Sequence, residues 1–165
     1  MADFNCDGKL DAAVANFFAN TVSVLLGNGD ATFAPAVNYP AGTSPDFVAA
    51  FDFNTDGKLD LVVADRSTGS NIAVLLGNGD GTFRSALFYQ AGSGPNSIAV
   101  ADYNKGGKLD LAVANSSESD LSFGQGGRQF SIGRKLSGCR CPMAHLHCRF
   151  RRRRQSRSRN GKLRR

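Results

Sequence analysis

Short apolar runs alternate along the chain with turns rich in Gly, Asn and Asp, and no stretch keeps the 3.6-residue spacing of a helix. Phe47–Phe53 and Ser97–Tyr103 are apolar runs that lead into acidic segments. Leu59–Ala64 (LDLVVA) follows one such segment, and Asn71–Leu76 (NIAVLL) comes next. The GNGDG that follows reads as a hairpin turn, because glycine supplies positive φ at no steric cost. Thr82–Tyr89 (TFRSALFY) then closes the unit. The β-branched and aromatic content agrees with strands throughout. The pattern predicts four short strands in each stretch of about 50 residues, and an all-β fold.

The stretches repeat. DFNCDGKLD at Asp3–Asp11 recurs as DFNTDGKLD at Asp52–Asp60 and DYNKGGKLD at Asp102–Asp110, with starts 49 and 50 residues apart. A second string keeps the same phase: VLLGNGDATF at Val24–Phe33, VLLGNGDGTF at Val74–Phe83 and LSFGQGGRQF at Leu121–Phe130. Two motifs in one phase mark tandem units, of the size of a propeller blade.

The first motif carries the chemistry. In the second copy, Asp52, Asp56 and Asp60 supply carboxylates, Asn54 an amide oxygen and Lys58 a main-chain carbonyl, while Gly57 permits a sharp turn. Hard oxygen donors in a flexible loop of charge −3 suit Ca²⁺, whereas magnesium demands stricter octahedral geometry. Without a cation the crowded carboxylates would repel one another. The competing reading is a solvated Asp/Asn/Gly turn, which recurrence at fixed spacing disfavours. The opening matches an EF-hand, but the twelfth position holds Val14, Val63 or Val113 instead of its bidentate Glu. In the third copy Asp102, Asn104 and Asp110 remain, but Gly106 replaces a carboxylate and Lys105 adds positive charge. That loop reads as a weak or vestigial site.

DFNTDGKLDLVVA followed by NIAVLLGNGDGTF resembles the FG-GAP/VCBS repeat of integrin-α-type β-propellers, over Met1 to about Phe130. The resemblance implies a partial β-propeller of about three four-stranded blades, each with a calcium loop joining its first two strands. It places the ligands on Asp3, Asn5, Asp7, Lys9 (carbonyl) and Asp11, then on Asp52, Asn54, Asp56, Lys58 (carbonyl) and Asp60. In the third copy they fall on Asp102, Asn104, Lys108 (carbonyl) and Asp110. It further implies an extracellular or cell-surface protein that binds a protein or carbohydrate ligand in adhesion or recognition. Propellers close with about four to eight blades, and the strand expected before Asp3 is missing, so the chain reads as a piece of something longer.

Charge divides the chain in two. The net +6 combines 14 acidic and 7 basic residues before position 134 with 13 basic and no acidic residues from that position on. Residues 1–133 therefore form the acidic repeat region and 134–165 a basic tail, disordered or artefactual. Three readings of the tail compete. One is an Arg-rich arm that binds nucleic acid through its phosphates. This is the alternative function, in which the protein acts through FRRRRQSRSR. The second is a metal site from Cys139, Cys141, His145, His147 and Cys148, whose spacing matches no standard zinc pattern. The third is a fourth repeat translated out of frame. An acidic loop starts 19 residues after Phe33 and again after Phe83, so the next is due at position 149. One allowed coding of Arg149–Arg159, read one base later, gives DFDGDGKADLA. The coincidence of position favours this third reading and disfavours nucleic acid as a partner.

No catalytic constellation stands out. Histidine is absent before position 145, so no triad can be drawn in the repeats. The aspartates recur in every copy, as structural ligands do and a single active site does not. The GNGD turns lack the lysine and following helix of a phosphate loop. No apolar run reaches the length of a membrane helix. A structural role without enzymatic activity is expected.

Overall fold

A computed structural model describes residues 1–131 apart from 68, 70, 104, 117–119 and 126–128. Asn104, one of the expected ligands, and the basic tail from 134 lie outside the described residues, as does the centre of the third GNGD-like string.

The described residues contain strands and no helix, arranged in three antiparallel sheets. The first sheet comprises β1 (Ala12–Asn16), β2 (Thr21–Leu25) and β3 (Val37–Pro40). The second comprises β4 (Pro45–Phe51), β5 (Asp60–Asp65), β6 (Asn71–Leu75) and β7 (Leu87–Gln90). The third comprises β8 (Pro95–Ala101), β9 (Asp110–Asn115), β10 (Asp120–Gln125) and β11 (Gln129–Ser131). Each is a meander in which neighbours in sequence are neighbours in space.

The middle sheet is sandwiched, which explains its continuous apolar sequence. Leu61, Val63, Ala73 and Leu75 face the first sheet and join Phe4, Val22, Val24, Ala41 and Phe83 in one core. Val62, Ala64, Ile72 and Val74 face the third and join Phe53, Ala91, Ile98, Leu111 and Val113 in another. Side chains alternate across a strand, so a strand covered on both faces reads as an unbroken run such as LVVA rather than as alternation.

Three strands have limits that differ from those the sequence predicts. The runs 47–53 and 97–103 give way to strands ending at Phe51 and Ala101. Phe53 and Tyr103 leave the ladder because their amides donate to the Asp60 and Asp110 carboxylates, at 3.0 Å in each case. The predicted outer strand Thr82–Tyr89 shrinks to Leu87–Gln90. Its first residues instead close the glycine turn, through Asn78 N–H to Thr82 O (2.9 Å), Arg84 N–H to Leu76 O (2.8 Å) and a Gly77–Phe83 bridge. The first sheet has three strands where four per repeat are expected. A single bridge, Ala2 to Asp11, stands where its remaining strand would run.

Candidate metal centre

Each acidic loop joins two strand positions and is wound by its own side chains. In the second loop, Asp52 accepts the amides of Asp56 (3.0 Å) and Gly57 (2.8 Å) on its two oxygens. Asn54 Oδ1 also accepts Asp56 N–H (2.9 Å), and Asp56 Oδ1 accepts Lys58 N–H (2.9 Å). The first loop repeats the pattern. Asp3 takes Asp7 N–H (3.2 Å) and Gly8 N–H (2.8 Å), Asn5 takes Asp7 N–H (3.2 Å), and Asp7 takes Lys9 N–H (2.9 Å). In the third, Asp102 holds Gly106 and Gly107 in the same way, at 2.9 and 2.8 Å.

The winding requires left-handed backbone twice per loop. Gly8, Gly57 and Gly107 have φ of 82°, 83° and 77°, which glycine adopts freely. Cys6, Thr55 and Lys105 adopt φ of 59–62° despite their side chains, a local strain that hydrogen bonds on either side hold in place. The residue type at that position is free to vary, but its conformation is not.

The ninth residue behaves differently from the rest. Asp11 and Asp60 are fully buried, and each is a brace. Asp60 Oδ2 accepts Phe53 N–H (3.0 Å) inside the loop, while Oδ1 accepts Gly77 N–H (2.9 Å) from the glycine turn. Asp11 bonds Phe4 N–H (2.7 Å) and Gly27 N–H (2.8 Å) in the same manner. Burial pushes the Asp60 carboxyl up from its ordinary value; the two amides pull it back and the nearby charge of Asp56 adds to the rise. The exposed Asp7 carboxyl is held low, chiefly by the Lys9 amide. The Lys9 ammonium lies 3.6 Å from it.

The loops divide into two shells. Asp3, Asn5 and Asp7, like Asp52, Asn54 and Asp56, present oxygens at the surface, each with lone pairs to spare beyond its amide bonds. Asp11 and Asp60 sit beneath, anchored to the turn. The oxygen-only donor set of the second loop fits a hard cation such as calcium and not a thiolate-seeking metal. Among the described residues no three carboxylate, His or Cys side chains form a closed cluster. The expected ligands of each loop thus lie along one short segment, with the last withdrawn into the core.

The structure also shows a partnership that sequence reasoning missed. The glycine turn is the acidic loop's counterpart. A Cβ on Gly27 or Gly77 would strike the carbonyl of Leu10 or Leu59, so only glycine lets the turn approach closely enough to donate to the buried Asp. Asp30 and Asp80 shape the turns by accepting the Thr32 and Thr82 hydroxyls (2.5 Å each) and amides, which lowers both carboxyls. The signal was present in the shared phase of the two motifs. A second missed residue is Asp65, buried at the far end of β5. It accepts Thr43, Ser44 and Ser67 amides and the Ser67 hydroxyl, tying β4's approach to β5's exit.

The FG-GAP-like repeat model matches residues 3–63 and 52–113. Most of the chain is covered, and the protein belongs to the FG-GAP-like repeat family, a structural rather than catalytic repeat type. No curated protein and no solved structure matches the chain. Among the described residues, no helix is long and apolar enough to cross a membrane.

Proposed function

We propose that the repeats are blades of a calcium-binding β-propeller, part of an extracellular or cell-surface protein that recognises a protein or carbohydrate ligand. The observation that carries this reading is the shared architecture of the first two loops. In both, one Asp winds the loop on two amides while Asn and Asp oxygens are held beside it at the surface. Asp3, Asn5, Asp7, the Lys9 carbonyl and Asp11 would hold one ion, and Asp52, Asn54, Asp56, the Lys58 carbonyl and Asp60 the other. Bound calcium supplies positive charge that offsets three carboxylates and cross-links a short loop. The protein's own contribution is to pre-wind the loop and to fix its last carboxylate against the glycine turn.

The third loop retains Asp102, Asp110 and the Lys108 carbonyl but has Gly106 in place of a carboxylate, so we assign it weak binding. Affinities of about 10⁻⁴–10⁻³ M are expected, as in extracellular modules. The test is the thermal midpoint of the full chain in calcium and in chelator. Calcium should raise it, and Asp56→Ala should diminish the rise. A midpoint indifferent to calcium overturns the reading.

A further inference from the structure

We propose that the first two acidic loops are coupled, so that an ion held in one raises the affinity of the other. The inference rests on the calcium reading of the loops and adds how the two sites regulate each other.

A continuous path joins the innermost carboxylates of the two loops. Asp60 closes the second loop and accepts the Gly77 amide, at the start of the second glycine turn. The turn is stiffened by its own bonds, Asn78 N–H to Thr82 O and Arg84 N–H to Leu76 O. It carries Gly81, whose amide donates to Phe4 O, and Phe83, whose ring lies edge-on to that of Phe4. Phe4 stands between the expected ligands Asp3 and Asn5, and its own amide donates to Asp11, the last carboxylate of the first loop. Asp60, Gly77, Gly81, Phe83, Phe4 and Asp11 are all buried, so water does not compete for these contacts.

The two turns differ where the path requires it. Ala31 of the first turn has φ of 68°, and its counterpart in the second is Gly81, with φ of 82°. A Cβ on Gly81 would come within 2.7 Å of the Leu26 side chain, in the first repeat. The turn's backbone therefore accepts alanine. It is the approach to the neighbouring repeat that calls for glycine.

An ion favours the wound state of its loop over any looser one. Held in the second loop, it fixes Asp60 and with it the turn, and the docked turn fixes Phe4. The first loop then has less ordering left to pay when its own ion arrives. Linkage makes the effect reciprocal.

The test is a calcium titration of the full chain in about 0.15 M salt, which screens distant charges. Amide NMR signals of Gly8 and Gly57 report the loops separately, because these amides donate to Asp3 and Asp52. The loop that fills second should need about fivefold more calcium or more when the other is disabled, by Asp56→Ala or Asp7→Ala. In Asp7→Ala, calcium should still slow amide exchange at Gly81. Gly81→Ala keeps the turn but presses it off the first repeat, so in that background the shift should vanish. Phe83→Leu is the second uncoupling variant, used if Gly81→Ala does not fold. The proposal fails if the midpoint stays in place, if exchange at Gly81 ignores calcium, or if the shift survives uncoupling, as a plain charge effect would. If neither glycine signal responds to calcium, the calcium reading itself falls; if both respond independently, only the coupling does.

Discussion

Phe83 of the second repeat stands edge-on against Phe4 of the first acidic loop, with ring centroids 5.5 Å apart and planes at 80°. The two rings belong to different repeats. Tyr39 adds a second edge contact at 5.8 Å and accepts the Phe83 amide on its hydroxyl at 3.3 Å. Gly81 N–H donates to Phe4 O at 3.1 Å. The glycine turn of one repeat therefore clasps the acidic loop of the repeat before it, while bracing its own.

Truncating this contact should be costly. Phe83→Ala is expected to destabilise the fold by about 3–5 kcal/mol, the range for a buried aromatic. Phe33, its equivalent one repeat earlier, is 38% exposed against 7% for Phe83. Phe33→Ala should cost about 1 kcal/mol or less. Urea unfolding of the two variants measures the contrast.

Stability and ion binding should separate within one loop. Asp60→Asn replaces an acceptor of two buried amides with a group that offers one acceptor, and should cost about 1–3 kcal/mol even in chelator, where its role as an ion ligand plays no part. Asp56 lies at the surface, so Asp56→Ala should change the midpoint in chelator little and reduce the calcium-induced rise. Thermal unfolding in both conditions tells the two apart.

The two glycine roles are also separable. Gly77→Ala forces a methyl into the Leu59 carbonyl and should cost about 1–3 kcal/mol through overpacking. Gly57→Ala meets open space and carries only the left-handed backbone penalty of about 1–2 kcal/mol. Adding calcium should offset part of the Gly57 loss and little of the Gly77 loss.

The Asp80 carboxyl should titrate below its ordinary value of 3.8, because the Thr82 hydroxyl and amide favour its charged form. A lowered folded value means that its contribution to stability is complete above the ordinary value and is lost as pH falls through the folded one. Thr82→Val removes the hydroxyl and should move the titration back upward. Carboxyl NMR across the acid range follows it directly.

For residues 134–165 we propose a frame-shifted fourth repeat. The adjacent reading frame of the nucleotide sequence is expected to give an acidic loop at position 149 and to continue the repeat beyond it. If neither adjacent frame does so, the Arg-rich arm is the surviving reading. In that case removing 134–165 should abolish steeply salt-dependent DNA binding.

Much of this architecture was legible in the residues. The recurrence of DFNTDGKLD and VLLGNGDGTF marked the repeat, and LVVA and NIAVLL marked strands that the structure buries on both faces. The limits of those strands were less legible, because a side chain decides them. Nothing local in FDF says that Phe53 surrenders its amide to Asp60, seven residues on. The aromatic and apolar residues of TFRSALFY read as one long outer strand, but Phe83 serves a contact 79 residues away in sequence, on Phe4. Asp60 and Asp56 look alike in the motif, and only burial distinguishes a brace from a surface oxygen.

The clasp between Phe83 and Phe4 sets where the chain can be divided. The period written in the sequence runs from one acidic loop to the next, but the piece that holds together runs from an acidic loop to the phenylalanine of the following copy. A cut at the sequence boundary strips one loop of its cover and leaves the next turn's ring in water. Anyone shortening, shuffling or grafting these modules should count in overlapping lengths, as links of a chain are counted, rather than in tiles laid edge to edge.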